Sequence, residues 1–285
     1  MKKLVKITAA MLMTCALITG CSSKPTDNND PQTAATWEDQ LGKKGVIAIG
    51  ISPDYPPYES LDASGNMEGF DIDMVAELQK YFGTEDAPYE IEWVQMSFDT
   101  IISSVQTGQV DLGVAGFTYD PDRDVLFSEP YMESGQVALV NPDSDIKTVD
   151  DLKNKKIGAQ LGATAEKAAN SIEGADVQAV SSVNVLIESL KSNALDAVVV
   201  DIPVAKGYVE NAGFVMLDEV LIDESTSIIA AKGNDELIAK VNEAVKAFKA
   251  SDAYNELKRK MGYELITPFL WRISHGYRAD ISKCR

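Results

Sequence analysis

Arg123 is the only arginine before position 259 in a chain that otherwise takes its positive charge from lysine. A guanidinium is always charged and offers five donors in a rigid plane, so it grips a carboxylate at two points where lysine supplies a flexible point charge. The alternative for Arg123 is an ion pair with Asp120, Asp122 or Asp124 on a solvated turn. Asp201 ends the apolar run Ala197-Val198-Val199-Val200 just before Pro203. As an acceptor-only group it suits an ammonium, or it caps the helix that follows. Gly162-Ala163-Thr164 lies between a strand pattern and a helix pattern, where free backbone N–H groups attract an anion or where threonine serves as an ordinary cap. Asp54-Tyr55-Pro56-Pro57-Tyr58 follows the first apolar run, and open α/β sheets take ligands at the carboxyl ends of strands. Tyr55 and Tyr58 are there either as rings for a ligand or as covers for the core edge.

Enzymatic chemistry finds little support. The single histidine, His275, sits in the C-terminal segment, and no serine stands in a Gly-x-Ser-x-Gly elbow. There is no Walker loop and no Gly-x-Gly-x-x-Gly after a strand, so no nucleotide cofactor is expected. Asp71 and Asp73 are two residues apart and fall on different sides of a helix, which suits acids complementing a helix dipole better than a metal pair. The expectation is a binding protein with no metal and no cofactor.

Lys2, Lys3 and Lys6 followed by an apolar stretch from Ile7 to Ile18 read as an export signal, too short for a spanning helix of ~20 apolar residues. The stretch ends in Leu17-Ile18-Thr19-Gly20-Cys21, which resembles the lipobox of bacterial lipoproteins and marks Cys21 for acylation. Residues 21–43 begin with a Ser-, Asn-, Asp-, Pro- and Thr-rich tract that buries no core and reads as a tether. The protein is therefore expected at the outer face of a bacterial cell membrane, held by lipid. Loss of residues 1–20 leaves 23 basic against 44 acidic residues, a formal charge of −21, and no basic face for nucleic acid. The three cysteines leave no disulfide inside the folded region, and a monomer is expected.

Behind the candidate residues, apolar runs and three-to-four-residue spacings alternate. Val46 to Ile51, Tyr89 to Trp93, Val110 to Ala115, Lys156 to Gln160, Val177 to Val180 and Ala197 to Val200 read as strands. Ile72 to Phe82, Ile101 to Val105, Ala163 to Ile172 and Val183 to Leu190 read as helices. Such alternation argues for α/β layers on largely parallel sheets. Val137 to Val140 and Ile228 to Ala231 stand where the pattern changes partner and read as two crossings between lobes. This gives a first lobe of residues 44–135 with 230–262, a second of 141–223, and hinges at 136–140 and 224–229. A single doubly wound sheet remains the alternative.

These segments together resemble the family 3 solute-binding proteins, the polar amino acid receptors of ABC transporters. Gly69-Phe70-Asp71-Ile72-Asp73-Met74 looks like the family signature, and Gly116 to Arg123 looks like Gly-x-Thr-x-Thr-x-Glu-Arg, with Asp120 and Asp122 as departures. Phe127-Ser128-Glu129-Pro130-Tyr131 matches the block that follows. The resemblance implies a two-lobe periplasmic-binding-protein fold of type II joined by two hinge strands, with a permease and an ATPase as partners. It implies that Arg123, Thr118 and Thr164 hold a free amino acid's carboxylate and that Asp201 and the Gly116 carbonyl receive its ammonium. Tyr55 and Phe98, with Tyr58 behind them in order of expectation, would sandwich the side chain. Ser52 and Gln160 are uncharged where relatives often carry an acid and a lysine, so a polar neutral amino acid is expected ahead of a cationic one, with Asp54 and Glu59 as acids still able to meet a cation. An amino acid sensor or a dehydratase on the same fold are the other readings. The segment 263–285, with Trp271, His275 and Cys284, departs from the family pattern.

Overall fold

Residues 35–84 and 86–262 are described by the computed structural model. The export signal, Cys21, most of the tether and the segment 263–285 lie outside the described residues.

The chain builds the same unit twice. Strand β1 (Val46–Ile51), helix α1 (Phe70–Leu78), β2 (Glu90–Gln95), α2 (Phe98–Gln106) and β3 (Leu112–Thr118) form the first, with sheet order β2-β1-β3, all parallel. After β4 (Met132–Val140), the strand β5 (Lys156–Gln160), α3 (Thr164–Asn170), β6 (Asp176–Val180), α4 (Val183–Lys191) and β7 (Ala197–Asp201) repeat the winding as β6-β5-β7. Helix α5 (Ile202–Ala212), strand β8 (Ile222–Ala230), α6 (Asp235–Lys249) and α7 (Asp252–Lys260) complete the described chain. The longer strands β4 and β8 run antiparallel to each other in the middle, giving the path β6-β5-β7-β4-β8-β3-β1-β2. β8 also pairs antiparallel with β3 of the first half, and β4 with β7 of the second, so the two halves join through the pairing of β4 with β8.

The apolar runs form strands because both faces are covered. Ile47, Ile49 and Ile51 of β1 are at most 2% exposed, and Ala197 to Val200 of β7 at most 1%. Helices α1 and α6 pack on the first half through Met74, Val75, Val241 and Val245, and α4 covers the second through Val183, Leu186 and Leu190.

The crossing strands are longer than their apolar cores suggest, reaching back to Met132 and Ile222. Their first halves carry Glu133, Ser134 and Gln136, and Asp223, Glu224 and Ser225. Here the strand is held by β4–β8 pairing, Ile222 to Thr226 against Gln136 to Met132, which an apolar count does not record. Of the last three helices, the sequence points only to α5, through Asp201 as its possible cap; α6 and α7 have no counterpart there. The spacing of Leu237, Ile238, Val241, Ala244, Val245 and Phe248 in α6 is a helical stripe that was there to be read.

The signature glycine has a steric reason. Gly69 sits at φ 129° just before α1, and a Cβ there would lie 2.3 Å from the Tyr58 carbonyl oxygen. Gly69→Ala should therefore cost about 1–3 kcal/mol of stability, read as a lower urea midpoint with an unchanged slope.

Candidate functional site

The carboxyl ends of β1, β3, β5 and β7 converge where the two halves face each other. Tyr55, Phe98, Ala115, Gly116, Thr118 and Arg123 from the first half, and Gln160, Ala163, Thr164 and Asp201 from the second, line one narrow cavity with Gln136 of β4. Eight of these eleven residues are candidates from the sequence, and of the other three only Gln136 brings a polar side chain.

Arg123 does not pair with the aspartates beside it. Asp120 and Asp122 take Lys167 of α3, and Asp124 takes Lys232. The guanidinium lies 5.7 Å from the Phe98 ring centre and 5.5 Å from that of Phe117. It donates to the Thr118 carbonyl and to the Gly162 carbonyl of the opposite half, both at 2.9 Å. Two of its five donors are thereby fixed, which orients the plane. Burial lowers its pKa, while the negative charges of Asp120 and Glu224 pull the other way.

Asp201 occupies the N-cap position of α5, yet its carboxylate makes no cap bond. One oxygen accepts from the Tyr55 hydroxyl at 2.9 Å and from Gln136 Nε2 at 2.6 Å, the other from the Ser134 hydroxyl at 2.8 Å. The Tyr55 hydroxyl in turn accepts from the Asp201 N–H at 2.9 Å. This reciprocal pair joins residues 146 apart in sequence. Asp201 is 4% exposed, and burial, with Glu224 nearby adding like charge, pushes its pKa up to about 6.

Thr164 is the first residue of α3, and its hydroxyl caps nothing; it donates to Glu224 at 3.0 Å. Glu224 of β8 also accepts from the Thr118 hydroxyl and from Gln136 Nε2, each at 2.9 Å. Ser134, Gln136 and Glu224 all come from the polar ends of the crossing strands. A pointer to them existed: Ser134 and Gln136 share a strand face, and β4 is otherwise apolar from Val137 on.

Two expected residues are not brought to the cavity wall. Tyr58 is 0% exposed and stacks behind Tyr55, ring centres 6.1 Å apart and planes 10° apart, so it supports that ring from the core. The Ser52 hydroxyl, 4% exposed, donates to Asp54 at 3.1 Å. Asp54 itself accepts from the Val183 N–H at the start of α4, a bond between the halves, and burial raises its pKa. Glu59, 1% exposed, is also withdrawn from any ligand. Burial raises its pKa and that of Asp71, and the two carboxyls interact. Asp71 is thus no exposed dipole partner. It is 0% exposed and accepts from Tyr131 Oη at 3.0 Å and from the Gly116 N–H at 3.3 Å. Gly116, at φ 57°, takes a left-handed conformation within β3 that this bond steadies. Asp73 lies on another face and meets Lys260 at 3.7 Å. Among the described residues no cluster of acids, histidines or cysteines is arranged to hold a metal, and no helix is long and apolar enough to cross a membrane.

Residues 47–263 match the sequence model of the bacterial extracellular solute-binding proteins, family 3. The arginine-binding extracellular protein ArtP of Bacillus subtilis (strain 168) is 32% identical over 269 residues, 91% of this chain and 98% of its own. An ancestral arginine-binding protein, solved bound to arginine, is 35% identical with a TM-score of 0.70, over 76% of this chain and 98% of its own. An ancestral amino acid-binding protein described as a precursor of cyclohexadienyl dehydratase is 33% identical with a TM-score of 0.70, over 76% of this chain and 95% of its own.

Proposed function

The chain belongs to the bacterial extracellular solute-binding proteins, family 3, and on that premise we propose that it captures a free L-amino acid between two closing lobes and delivers it to an ABC permease. The observation that carries this reading is that Arg123 and Asp201, opposite charges from opposite halves, line one cavity. A zwitterion matches that pair. In this reading the lobes are residues 44–135 with 230–262, and 141–223, and the crossing strands between them bend at 136–140 and 224–229. Arg123 and the Thr118 and Thr164 hydroxyls take the carboxylate, Asp201 and the Gly116 carbonyl take the ammonium, and Tyr55 and Phe98 flank the side chain. Hinge closure removes the paired charges from water, which strengthens their attraction, while hydrogen bonds to both ends offset the desolvation.

The uncharged Gln160 at the wall supports a polar neutral side chain first, while Asp54, which accepts from the Val183 N–H of α4, is an acid that a cationic one would seek. Acylation of Cys21 would hold the protein at the outer membrane face, and labelling with a palmitate analogue, lost in Cys21→Ser, checks it. A dehydratase reading has only the named precursor behind it, and turnover of a cyclohexadienyl substrate would be its sign.

A thermal-shift screen against the twenty amino acids, cystine and ornithine tests the function. The cognate ligand at about 100 times its dissociation constant should add ~2.7 kcal/mol of stability, and a flat response to all of them would sink the reading.

A further inference from the structure

Glu224 stands on the crossing strand β8, half-buried, and one of its oxygens takes three donors: Thr118 Oγ1 at 2.9 Å, Thr164 Oγ1 at 3.0 Å and Gln136 Nε2 at 2.9 Å. Thr118 ends β3 in the first half and Thr164 begins α3 in the second. A hydroxyl has one hydrogen to give. While it donates to Glu224, it cannot donate to another carboxylate. Gln136 Nε2 has two hydrogens, and its contacts with Asp201 and Glu224 use both.

We propose that Glu224 is a resident carboxylate that competes with the ligand's carboxylate for the Thr118 and Thr164 hydroxyls and, through the same two bonds, holds the halves together before a ligand arrives. The binding half of this inference rests on the amino acid reading above; the holding half rests on the geometry alone. An incoming carboxylate meets hydroxyls already charge-assisted by a carboxylate, so exchanging one for the other yields little net free energy. The ligand's surplus then comes from Arg123, which feels the charge of Glu224 without a direct bond among those described. Glu224 thereby sets affinity downward and works against any ligand that offers only a carboxylate. A ligand that also brings an ammonium to Asp201 has a second anchor with which to displace it.

Two measurements on the same variants, Glu224→Ala and Glu224→Gln, decide the matter. In the first, wild type and variants are stripped of ligand by unfolding in urea and refolding, and small-angle scattering is compared. A larger radius of gyration in Glu224→Ala is expected, and identical curves would overturn the proposal whatever the ligand proves to be. In the second, calorimetry with L-arginine and L-glutamine as probes should show the dissociation constant falling about fivefold or more in both variants, the scale of one net hydrogen bond. A constant that rises or stays the same for a probe that binds wild type would show that Glu224 holds the ligand or does nothing to it. If neither probe binds wild type or variants, it is the amino acid reading that fails for these probes, and the scattering comparison alone then decides whether Glu224 holds the halves together.

Discussion

Arg123→Ala is expected to lose nearly all binding of the cognate amino acid, by about 3–5 kcal/mol, or some two to four orders of magnitude in dissociation constant. The size follows from what remains after the change. The ligand carboxylate would lie in a cavity already lined by Asp201, with Glu224 close behind Thr118 and Thr164, and without a cation to face it. The guanidinium is prepared in advance, because the Thr118 and Gly162 carbonyls and the rings of Phe98 and Phe117 fix its plane. Arg123→Lys separates charge from geometry. An ammonium keeps the charge but cannot make two parallel bonds, so an intermediate loss of about tenfold or more is expected. Calorimetry checks both, with circular dichroism to show that the variants fold. Binding by the Ala variant within threefold of wild type would remove Arg123 from the site.

Asp201→Asn should abolish binding and yet stabilise the protein at neutral pH. The two effects share one cause, a nearly inaccessible carboxylate held above its ordinary range, at about 6. In the unfolded chain the group ionises near its usual value of about 3.9; in the folded protein it stays protonated to about 6. Below the unfolded value both states are protonated and the group contributes nothing to the difference. As pH rises between the two values, the unfolded chain loses its proton first and wild-type stability falls. Above about 6 the whole penalty is present, up to about 3 kcal/mol for a shift of some two units. The amide of Asn carries no such penalty, so its denaturation midpoint should exceed that of wild type at pH 7 and match it near pH 4. A ligand ammonium reverses the balance, because it favours the ionised carboxylate. Binding by wild type should therefore weaken as pH falls below about 6, with proton release on binding at pH 5 seen as a buffer-dependent heat. A pH-independent difference in stability between the two proteins would show that burial of charge is not the cause.

How much of this was open to reading from the chain differs by residue. Arg123, Asp201 and Thr164 stood out because an unusual residue type fell at the end of an apolar run or the start of a helix. Each came with a competing reading that spacing could not remove. Whether Arg123 would pair with Asp120, whether Asp201 would cap α5 and whether Thr164 would cap α3 depended on where Lys167, Tyr55, Ser134 and Glu224 lie in space. Tyr55 and Tyr58 show the same limit. They are three residues apart in one Pro-rich turn, yet one reaches Asp201 and the other is sealed beneath it.

The sequence by itself determined the α/β alternation, because the burial of strands and helix faces is written locally as runs and periods. It also determined the family, because Gly69 and the blocks around Arg123 meet steric and chemical demands that few residues satisfy. Only the tertiary structure decided the roles of Gln136 and Glu224. Their backbone is kept extended by pairing between β4 and β8, and their partners lie on strands and helices from both halves. A polar residue in a polar stretch carries no periodic signal of its own. It becomes part of a site only when folding withdraws it from water and sets donors from distant segments against it.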